Sequence, residues 1–232
     1  MQIRRLSLLD GAREARGIAV VIDVFRAFSV EPVLFALGAD RIVLEEDVEA
    51  CLAWRDRAVL VGEVNGLPID GFDLTNSPYQ VLRAGAAVFA GRTVVHRTTA
   101  GVRGALAAFA TADEVLLASF MTAGATARYV LAQRPDCVSI VAMGDKATVA
   151  APEDDRCADC IEALLGGPPY DHLAAIDEIL HQPTAEKFLR GDKPYFPQAD
   201  PLLCLQRDLF DFPLRAVRTP DGLEARPVGK AA

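Results

Sequence analysis

Short apolar runs alternate along the chain with segments in which apolar residues recur at helical spacing. Six runs rich in Val, Ile and Leu predict buried strands, at residues 17–22, 41–44, 58–62, 93–96, 114–118 and 138–142. Six segments between and after them predict helices, at residues 27–37, 47–57, 77–84, 102–111, 122–133 and 154–165. This repeated order predicts an α/β protein, a three-layer α/β/α sandwich with a largely parallel or mixed central sheet.

The pattern becomes less regular after Gly166-Gly167-Pro168-Pro169, which is a strong turn signal. Beyond it, short helices are predicted at residues 172–181, 184–189 and 201–208, and an edge strand at 213–218. A length of 232 residues is ordinary for one α/β domain. We therefore expect a single domain over residues 1–232, in which 168–232 form a C-terminal extension packed on the same core.

Composition narrows the classes of partner. The formal net charge of −8 does not favour binding to nucleic acid or to an anionic membrane. No apolar run reaches the roughly 18 residues that a membrane span needs, and no signal-peptide pattern is present. The five cysteines are odd in number and irregularly spaced, which favours reduced thiols. We expect a cytoplasmic protein without a nucleic-acid or membrane partner.

Polar residues follow nearly every predicted strand. Asp23, Glu63, Ser119 and Asp145 each come directly or almost directly after one, and Arg97-Thr98-Thr99 follow another. In open α/β sheets, ligands bind outside the carboxyl ends of the strands, so these residues indicate a site. The alternative for any one of them, Asp23 included, is that it only caps the next helix.

Three loops carry most of the candidate chemistry. Residues 62–78 form a long loop that contains Glu63 and Asp73, hard oxygen ligands of the type that Mg²⁺ takes, although Asp73 in this pattern also suits a turn. The turn at residues 98–104 offers hydroxyls and backbone N–H groups for an anion. Glu153 and Asp154 open a helix, where acids favour the helix dipole but also suit a metal or a general base. By contrast, His96, His172 and His181 show no zinc-ligand spacing.

Several of these segments resemble, in order, the 2-phosphosulfolactate phosphatase family over about residues 16–165. The resemblance lies in Val20-Val21-Ile22-Asp23-Val24-Phe25-Arg26-Ala27, Gly62-Glu63, Gly71-Phe72-Asp73-Leu74-Thr75-Asn76-Ser77-Pro78, Thr98-Thr99 with Gly101, Ala118-Ser119-Phe120, and Glu153-Asp154 with Cys157-Ala158. It implies an α/β/α enzyme that uses Mg²⁺ to hydrolyse (2R)-phosphosulfolactate to sulfolactate and phosphate, on a route to coenzyme M.

The residues and the resemblance together define an expected site. The expected catalytic residues are Asp23, Arg26, Glu63, Asp73, Glu153 and Asp154. Those expected to hold Mg²⁺ are Asp23, Glu63 and Asp73. Those expected to bind the substrate are Asn76, Ser77, Thr98, Thr99, Gly101 and Ser119. Which carboxylate acts as base stays open, as does a covalent aspartyl-phosphate at Asp23.

The chain departs from the family pattern at four positions, one of which is Asp159 in place of a Gly. Val64, Ala100 and Val102 stand where the family has Arg, Asn and Thr, which removes groups that would bind an anion. Two alternatives follow: the same fold acting on a different small phosphorylated or carboxylated acid, or a non-catalytic anion-binding protein. The expected partner is a small anionic phosphorylated substrate, and a homodimer stays open.

Overall fold

The computed structural model describes residues 1–229, which form one mixed sheet covered by helices. Its strands are β1 (Gln2–Ser7), β2 (Ile18–Ile22), β3 (Arg41–Leu44), β4 (Val59–Gly62), β5 (Thr93–Arg97), β6 (Glu114–Ala118), β7 (Cys137–Ala142), β8 (Leu214–Thr219) and β9 (Gly222–Pro227). Its helices are α1 (Leu8–Arg13), α2 (Ala27–Ala36), α3 (Val48–Leu52), α4 (Pro78–Ala84), α5 (Ala86–Phe89), α6 (Gly101–Phe109), α7 (Ala123–Gln133), α8 (Pro152–Leu164), α9 (His172–Leu180), α10 (Pro183–Leu189) and α11 (Ala199–Cys204), with a 3₁₀ turn at Phe120–Thr122.

The predicted α/β class and the six predicted strands are confirmed, since β2 to β7 match them within a residue or so. Two strands and two short helices were not predicted: β1, β9, α1 and α5. Strand β1 pairs only with β7 and lies at the edge of the sheet, where its polar residues stay exposed. It therefore lacks the continuous apolar run that marks a buried strand.

Strand residues alternate between two cores on opposite faces of the sheet. On β2, Ala19 and Val21 join one buried cluster, while Val20 and Ile22 join the other. The first cluster includes residues of α2 and α6, and the second includes residues of α7, α8 and α9. Burial on both faces is the reason that these strands are apolar throughout, and it confirms the three-layer arrangement.

The strand order is β1-β7-β2-β6-β8-β9-β3-β5-β4. Two groups of parallel strands, β1-β7-β2-β6 and β3-β5-β4, flank the hairpin β8-β9. The hairpin is antiparallel to β6 on one side and to β3 on the other. The sheet is therefore mixed, and its centre comes from the end of the chain.

The expectation of an edge strand at residues 213–218 was wrong. Strand β8 lies inside the sheet between β6 and β9, with Leu214 and Ala216 buried. Arg215 and Arg218 are exposed, as in an edge strand, but β6, about 100 residues away in sequence, pairs with β8 along its edge, and sequence periodicity carries no information about such distant pairing. The C-terminal segment is thus part of the sheet as well as of its cover; that residues 1–232 form one domain stays a prediction.

The hairpin also decides how the two parallel groups face each other. Three antiparallel pairings separate β6 from β3, so the groups run in opposite directions along the ladder. Sheet twist of about 20–25° per pair accumulates to roughly 100–125° over the five pairings between β2 and β5. This twist rotates the two groups away from an antiparallel arrangement, and the carboxyl ends of β2, β4 and β5 meet at one cavity.

Within residues 1–229, every helix falls short of the length and hydrophobicity that a membrane span requires.

Candidate active site

A cavity of about 260 Å³ lies where these strand ends meet. Its charged lining residues are the acids Asp23, Glu63, Asp145, Glu153 and Asp154 and the bases Arg26, Lys146 and Lys187. The remaining lining residues are Phe25, Asn65, Gly66, Asn76, Thr99, Ala100, Gly144, Phe188 and Phe196. A concave site with convergent polar groups at strand ends is the usual place for a ligand in an α/β fold.

Asp23 follows β2 and is 6% exposed. Its Oδ1 accepts a hydrogen bond of 3.0 Å from the backbone N–H of Ala27, so it does cap the start of α2. The N–H of Gly101 donates to the same carboxylate. A Cβ at position 101 would lie 2.9 Å from Asp23 Oδ2, so a glycine there allows α6 to approach the carboxylate. Capping and lining the cavity are therefore both roles of Asp23.

Glu63 follows β4 and ties two loops together at the cavity wall. Its carboxylate accepts hydrogen bonds from the Thr99 N–H at 2.6 Å, from the Thr99 hydroxyl at 3.1 Å, and from the Gly66 N–H. Thr99 follows β5, which pairs with β4 in parallel register. Glu63 and Thr99 thus line the cavity as a connected pair.

Asp154 and Glu153 lie in the first turn of α8 and are both buried. The two Asp154 oxygens accept hydrogen bonds from the N–H groups of Val24 at 2.7 Å and Gly144 at 2.8 Å, the loops that follow β2 and β7. The Thr184 hydroxyl of α10 donates to Glu153 Oε2 at 2.7 Å. Asp154 therefore fixes the backbone around Asp23, and Glu153 adjoins the C-terminal helices.

Burial and mutual repulsion shift the titration of these acids. Burial, with a further contribution from the Glu63 charge, raises the pKa of Asp23 to about 6. Burial raises the pKa of Glu153 to about 7, although the Thr184 hydroxyl opposes this shift. Burial and the charges of Asp23 and Glu153 raise the pKa of Asp154 well above its usual range. Carboxylic acids with pKa values near neutrality can exchange protons during a reaction.

Arg26 lines the cavity and forms a buried ion pair. Its Nη1 donates to Asp200 Oδ2 at 2.8 Å, and both side chains are nearly or completely buried. The guanidinium carbon lies 5.2 Å from the Phe188 ring centre and 5.3 Å from that of Phe196, which fits cation–π contact. Asp200 also accepts from the Ser77 hydroxyl at 2.8 Å. The C-terminal segment therefore holds Arg26 in place.

Asp73 does not line this cavity, although the sequence suggested it as a metal ligand. Its Oδ2 accepts a 2.8 Å hydrogen bond from the Leu60 N–H, and the residue borders a separate surface pocket with Phe72 and Gln80. The carboxylate secures the chain beside β4, where Leu74 forms a bridge with Val61. The turn role, open in the sequence, is the one the structure shows.

Of the six expected substrate-binding residues, only Asn76 and Thr99 line the cavity. Ser77 caps α4, where its oxygen accepts from the Gln80 N–H. Thr98 accepts from the Val102 N–H, and Ser119 donates to the Phe28 carbonyl. Gly101 lies behind Asp23. These four residues support the site from within the fold.

Several lining residues were not predicted. Lys187 and Phe188 come from α10, and Phe196 comes from the connection that follows it. Lys146 comes from the loop after β7. The aromatic residues of the Pro-rich segment at 194–201 were a usable signal, but no periodic pattern linked that segment to the strand ends.

The donor set suits a hard cation without forming a complete cage. In the part of the chain that the structure describes, no three His, Cys, Asp or Glu side chains converge closely enough to hold a metal ion by themselves. Mg²⁺ commonly binds through only one or two carboxylates and completes its shell with waters and phosphate oxygens. Asp23 interacts electrostatically with both Glu63 and Glu153, and a cation beside it would relieve that repulsion. The residues therefore fit Mg²⁺ of this partial type.

The raised pKa values predict a pH-dependent stability. The folded protein keeps protons on Asp23 and Glu153 up to about pH 6 and 7, whereas their ordinary values are 3.8 and 4.5. Folding is therefore opposed increasingly as pH rises from about 4 to 7. Glu153→Gln removes one charge, and we expect it to raise the free energy of unfolding at pH 7.5 by on the order of 2 kcal/mol.

Urea unfolding of chelator-treated protein at pH 4.5 and 7.5 measures this effect. The gain from Glu153→Gln should be small at pH 4.5, where Glu153 is protonated. The matched control is Glu162→Gln, since Glu162 lies on the outer side of the same helix and pairs with Arg5. An equal rise in the free energy of unfolding at both pH values would show that the buried charge of Glu153 is not its cause.

The fold and the cavity define an α/β protein with a ligand site of buried carboxylates at converging strand ends. Residues 6–192 match the family described as 2-phosphosulpholactate phosphatase. A relative from Bacillus subtilis (strain 168), named probable 2-phosphosulfolactate phosphatase, is 32% identical over 204 residues, which cover 85% of this chain and 86% of that protein. A relative of the same name from Thermus thermophilus is 39% identical over 209 residues, covering 90% and 80%.

The chain therefore belongs to the 2-phosphosulfolactate phosphatase family. The resemblance inferred from the sequence motifs is confirmed, and the family match is longer than the stretch of residues 16–165 on which it was inferred, since it begins at residue 6 and continues through α10.

Proposed function

We propose that this protein is a Mg²⁺-dependent phosphomonoester hydrolase that converts 2-phosphosulfolactate and water to sulfolactate and phosphate. The observation that carries the proposal is the convergence of Asp23, Glu63, Glu153 and Asp154 on one cavity at the strand ends. The names of the relatives supply the substrate. The cavity volume of about 260 Å³ suits a small acid rather than a polymer.

The lining side chains have different proposed roles in binding, proton transfer and loop positioning. Asn76 and the cations Lys146 and Lys187 supply donors and positive charge for the anionic groups of the substrate. Glu153, with a pKa near 7, is suited to protonate the leaving oxygen or to accept a proton from the attacking water. Glu63 and Asp154 hold the surrounding loops through their bonds to backbone N–H groups.

The proposed cation would be held by Asp23, with Glu63 and Glu153 as the neighbouring carboxylates that could join it. When bound, Mg²⁺ offsets negative charge on the phosphoryl group. The metal proposal has a test that is independent of turnover. Mg²⁺ should raise the melting temperature of the wild-type protein at pH 7.5, because a ligand that binds only the folded state stabilises that state. It should have little effect on the melting temperature of Asp23→Asn. An equal rise in both would contradict this assignment.

Activity is tested by phosphate release from 2-phosphosulfolactate after chelation, with Mg²⁺ added back. We expect turnover only with the cation. Asp70→Asn should leave this turnover unchanged, since Asp70 lies in the loop at residues 62–78 with Glu63 but is exposed and does not line the cavity. Turnover that is unaffected by chelation would remove Mg²⁺ from the proposal, and no turnover under any condition would reject the phosphatase.

Action on a different small acid is the second candidate, and one observation favours it. The observation is Ala100, which lines the cavity where the family has Asn. The other departures do not line it, since Val102 is fully buried, Val64 forms a loop bridge with Leu67, and Asp159 pairs with Arg5. A panel of phosphorylated three-carbon acids with and without a sulfonate group decides. Higher kcat/KM for a substrate without sulfonate would establish the alternative.

The remaining expectations extend the proposal. A cytoplasmic location is supported by five unpaired cysteines within the described residues. A place on the route to coenzyme M follows only if sulfolactate is the product. The homodimer and the absence of a nucleic-acid partner stay predictions.

A further inference from the structure

The cavity wall contains a buried chain of three polar side chains, and the roles above do not explain two of them, Glu31 and His96. Glu31 of α2 lies 3.0 Å from His96 of β5, between Oε1 and Nδ1. His96 Nε2 lies 2.9 Å from Asn76 Oδ1. Glu31 and His96 are fully buried, whereas Asn76 borders the cavity. The chain thus runs from the core to the site.

The hydrogen-bond partners indicate where the protons lie. Asn76 Oδ1 can only accept, so His96 Nε2 must carry a proton and donate it. At the other end, Glu31 and Nδ1 share one proton between them, whichever of the two holds it. Burial raises the pKa of Glu31, although His96 opposes this shift, and a protonated Glu31 that donates to Nδ1 leaves the ring proton on Nε2.

The direction of the Asn76 amide matches a donating Nε2. When Oδ1 faces His96, the NH₂ group on the opposite side of the amide is available to the cavity. A rotation of 180° would present the carbonyl oxygen instead, which would repel an anion. The same rotation would set two N–H donors against each other at His96, so the buried pair disfavours it.

We propose that Glu31 and His96 are positioning residues that hold the Asn76 NH₂ group toward the cavity, where it donates to an oxygen of a tetrahedral oxyanion. The proposal deepens the phosphatase assignment, because the phosphoryl group and the sulfonate of its substrate are both such oxyanions. Glu31 Oε2 has no partner within residues 1–229. A buried carboxyl left half-satisfied fits a positioning role better than one of simple structural support.

A double-mutant cycle tests the proposed path. Asn76→Ala should weaken binding of inorganic phosphate or sulfolactate, measured by calorimetry with Mg²⁺ present, by roughly 10- to 100-fold, the usual effect of a bond to a charged group. His96→Leu should have a similar effect alone and almost none in the Asn76→Ala background. A loss confined to phosphate or to sulfolactate identifies the oxyanion that Asn76 contacts.

The control for general damage is Ser139→Ala. Ser139 is buried in β7 and bonds to the Arg16 backbone at the far end of the sheet. Its effect on affinity should be small, and additive with that of Asn76→Ala. Additive effects for His96→Leu and Asn76→Ala would overturn the proposal, as would unchanged affinity in both single variants.

A second measurement uses the wild-type protein and does not depend on turnover. ¹⁵N NMR of histidine-labelled wild-type protein should show Nε2 of His96 protonated at neutral pH. The chain has three histidines, and His172 and His181 lie in the C-terminal segment. An unprotonated Nε2 would require the opposite Asn76 orientation and would overturn the inference. If the protein binds phosphate as expected but hydrolyses nothing, the inference stands and the proposed function fails.

Discussion

Replacing Asp23 by Asn is expected to reduce phosphate release from 2-phosphosulfolactate by at least about 10³-fold while leaving the protein folded. The effect should be large because Asp23 is the carboxylate that adjoins both Glu63 and Glu153, and loss of one such electrostatic partner commonly costs 10²–10³-fold or more. The asparagine oxygen can still accept from the Ala27 N–H, so the cap of α2 is kept.

The stability of this variant distinguishes function from capping. Removing a buried charge whose pKa is raised should make Asp23→Asn at least as stable as the wild type at pH 7.5. Asp47→Asn is the matched control, since Asp47 caps α3 through the Ala50 N–H but lies away from the cavity. It should retain full activity. If Asp23→Asn were equally active, Asp23 would be a cap and nothing more.

Replacing Asp200 by Ala is expected to have the largest effect on stability. The change leaves the Arg26 guanidinium buried without its 2.8 Å partner and removes the acceptor for the Ser77 hydroxyl and the Tyr79 N–H. Breaking a buried ion pair from one side typically costs 3–5 kcal/mol, which is roughly 6–20 °C in melting temperature for a chain of this size. Activity should fall too, because Arg26 borders the cavity.

An exposed ion pair provides the comparison. Asp221 lies 2.7 Å from Arg41 but is largely exposed, so Asp221→Ala should cost no more than about 1 kcal/mol. Calorimetry of both variants at pH 7.5 measures the difference. Equal losses would mean that burial of the Arg26–Asp200 pair contributes nothing, and the account of how the C-terminal segment holds Arg26 would be wrong.

The strand-end rule located much of the site from sequence. Asp23, Glu63, Thr99 and Asp145 were expected there, and all line the cavity. The rule works because a strand with both faces buried is mostly apolar along its length, so its polar side chains are concentrated where it ends. Asp73 was assigned to the site by its residue type and by the family resemblance, and neither gives the direction of a side chain, which here bonds to β4.

The residues that were missed share a different property. His96 lies inside an apolar strand and Glu31 inside an apolar helix, so each resembles an isolated polar residue in the core. Lys187 and Asp200 lie beyond the regular part of the pattern. Each gains its role from a partner 20 to 174 residues distant along the chain, and local spacing cannot reveal such a partner.

The sequence by itself determined the alternation of strands and helices, the α/β class, the family and the acids at the strand ends. These features are local, since they depend on periodicity and on residues adjacent in the chain. The tertiary structure alone decided the central position of the β8-β9 hairpin, the convergence of strand groups that formally run in opposite directions, and the contacts of the C-terminal segment with Arg26. Those features arise from pairing, twist and burial between distant segments, where many partners are compatible with one hydrophobic pattern and only packing selects among them.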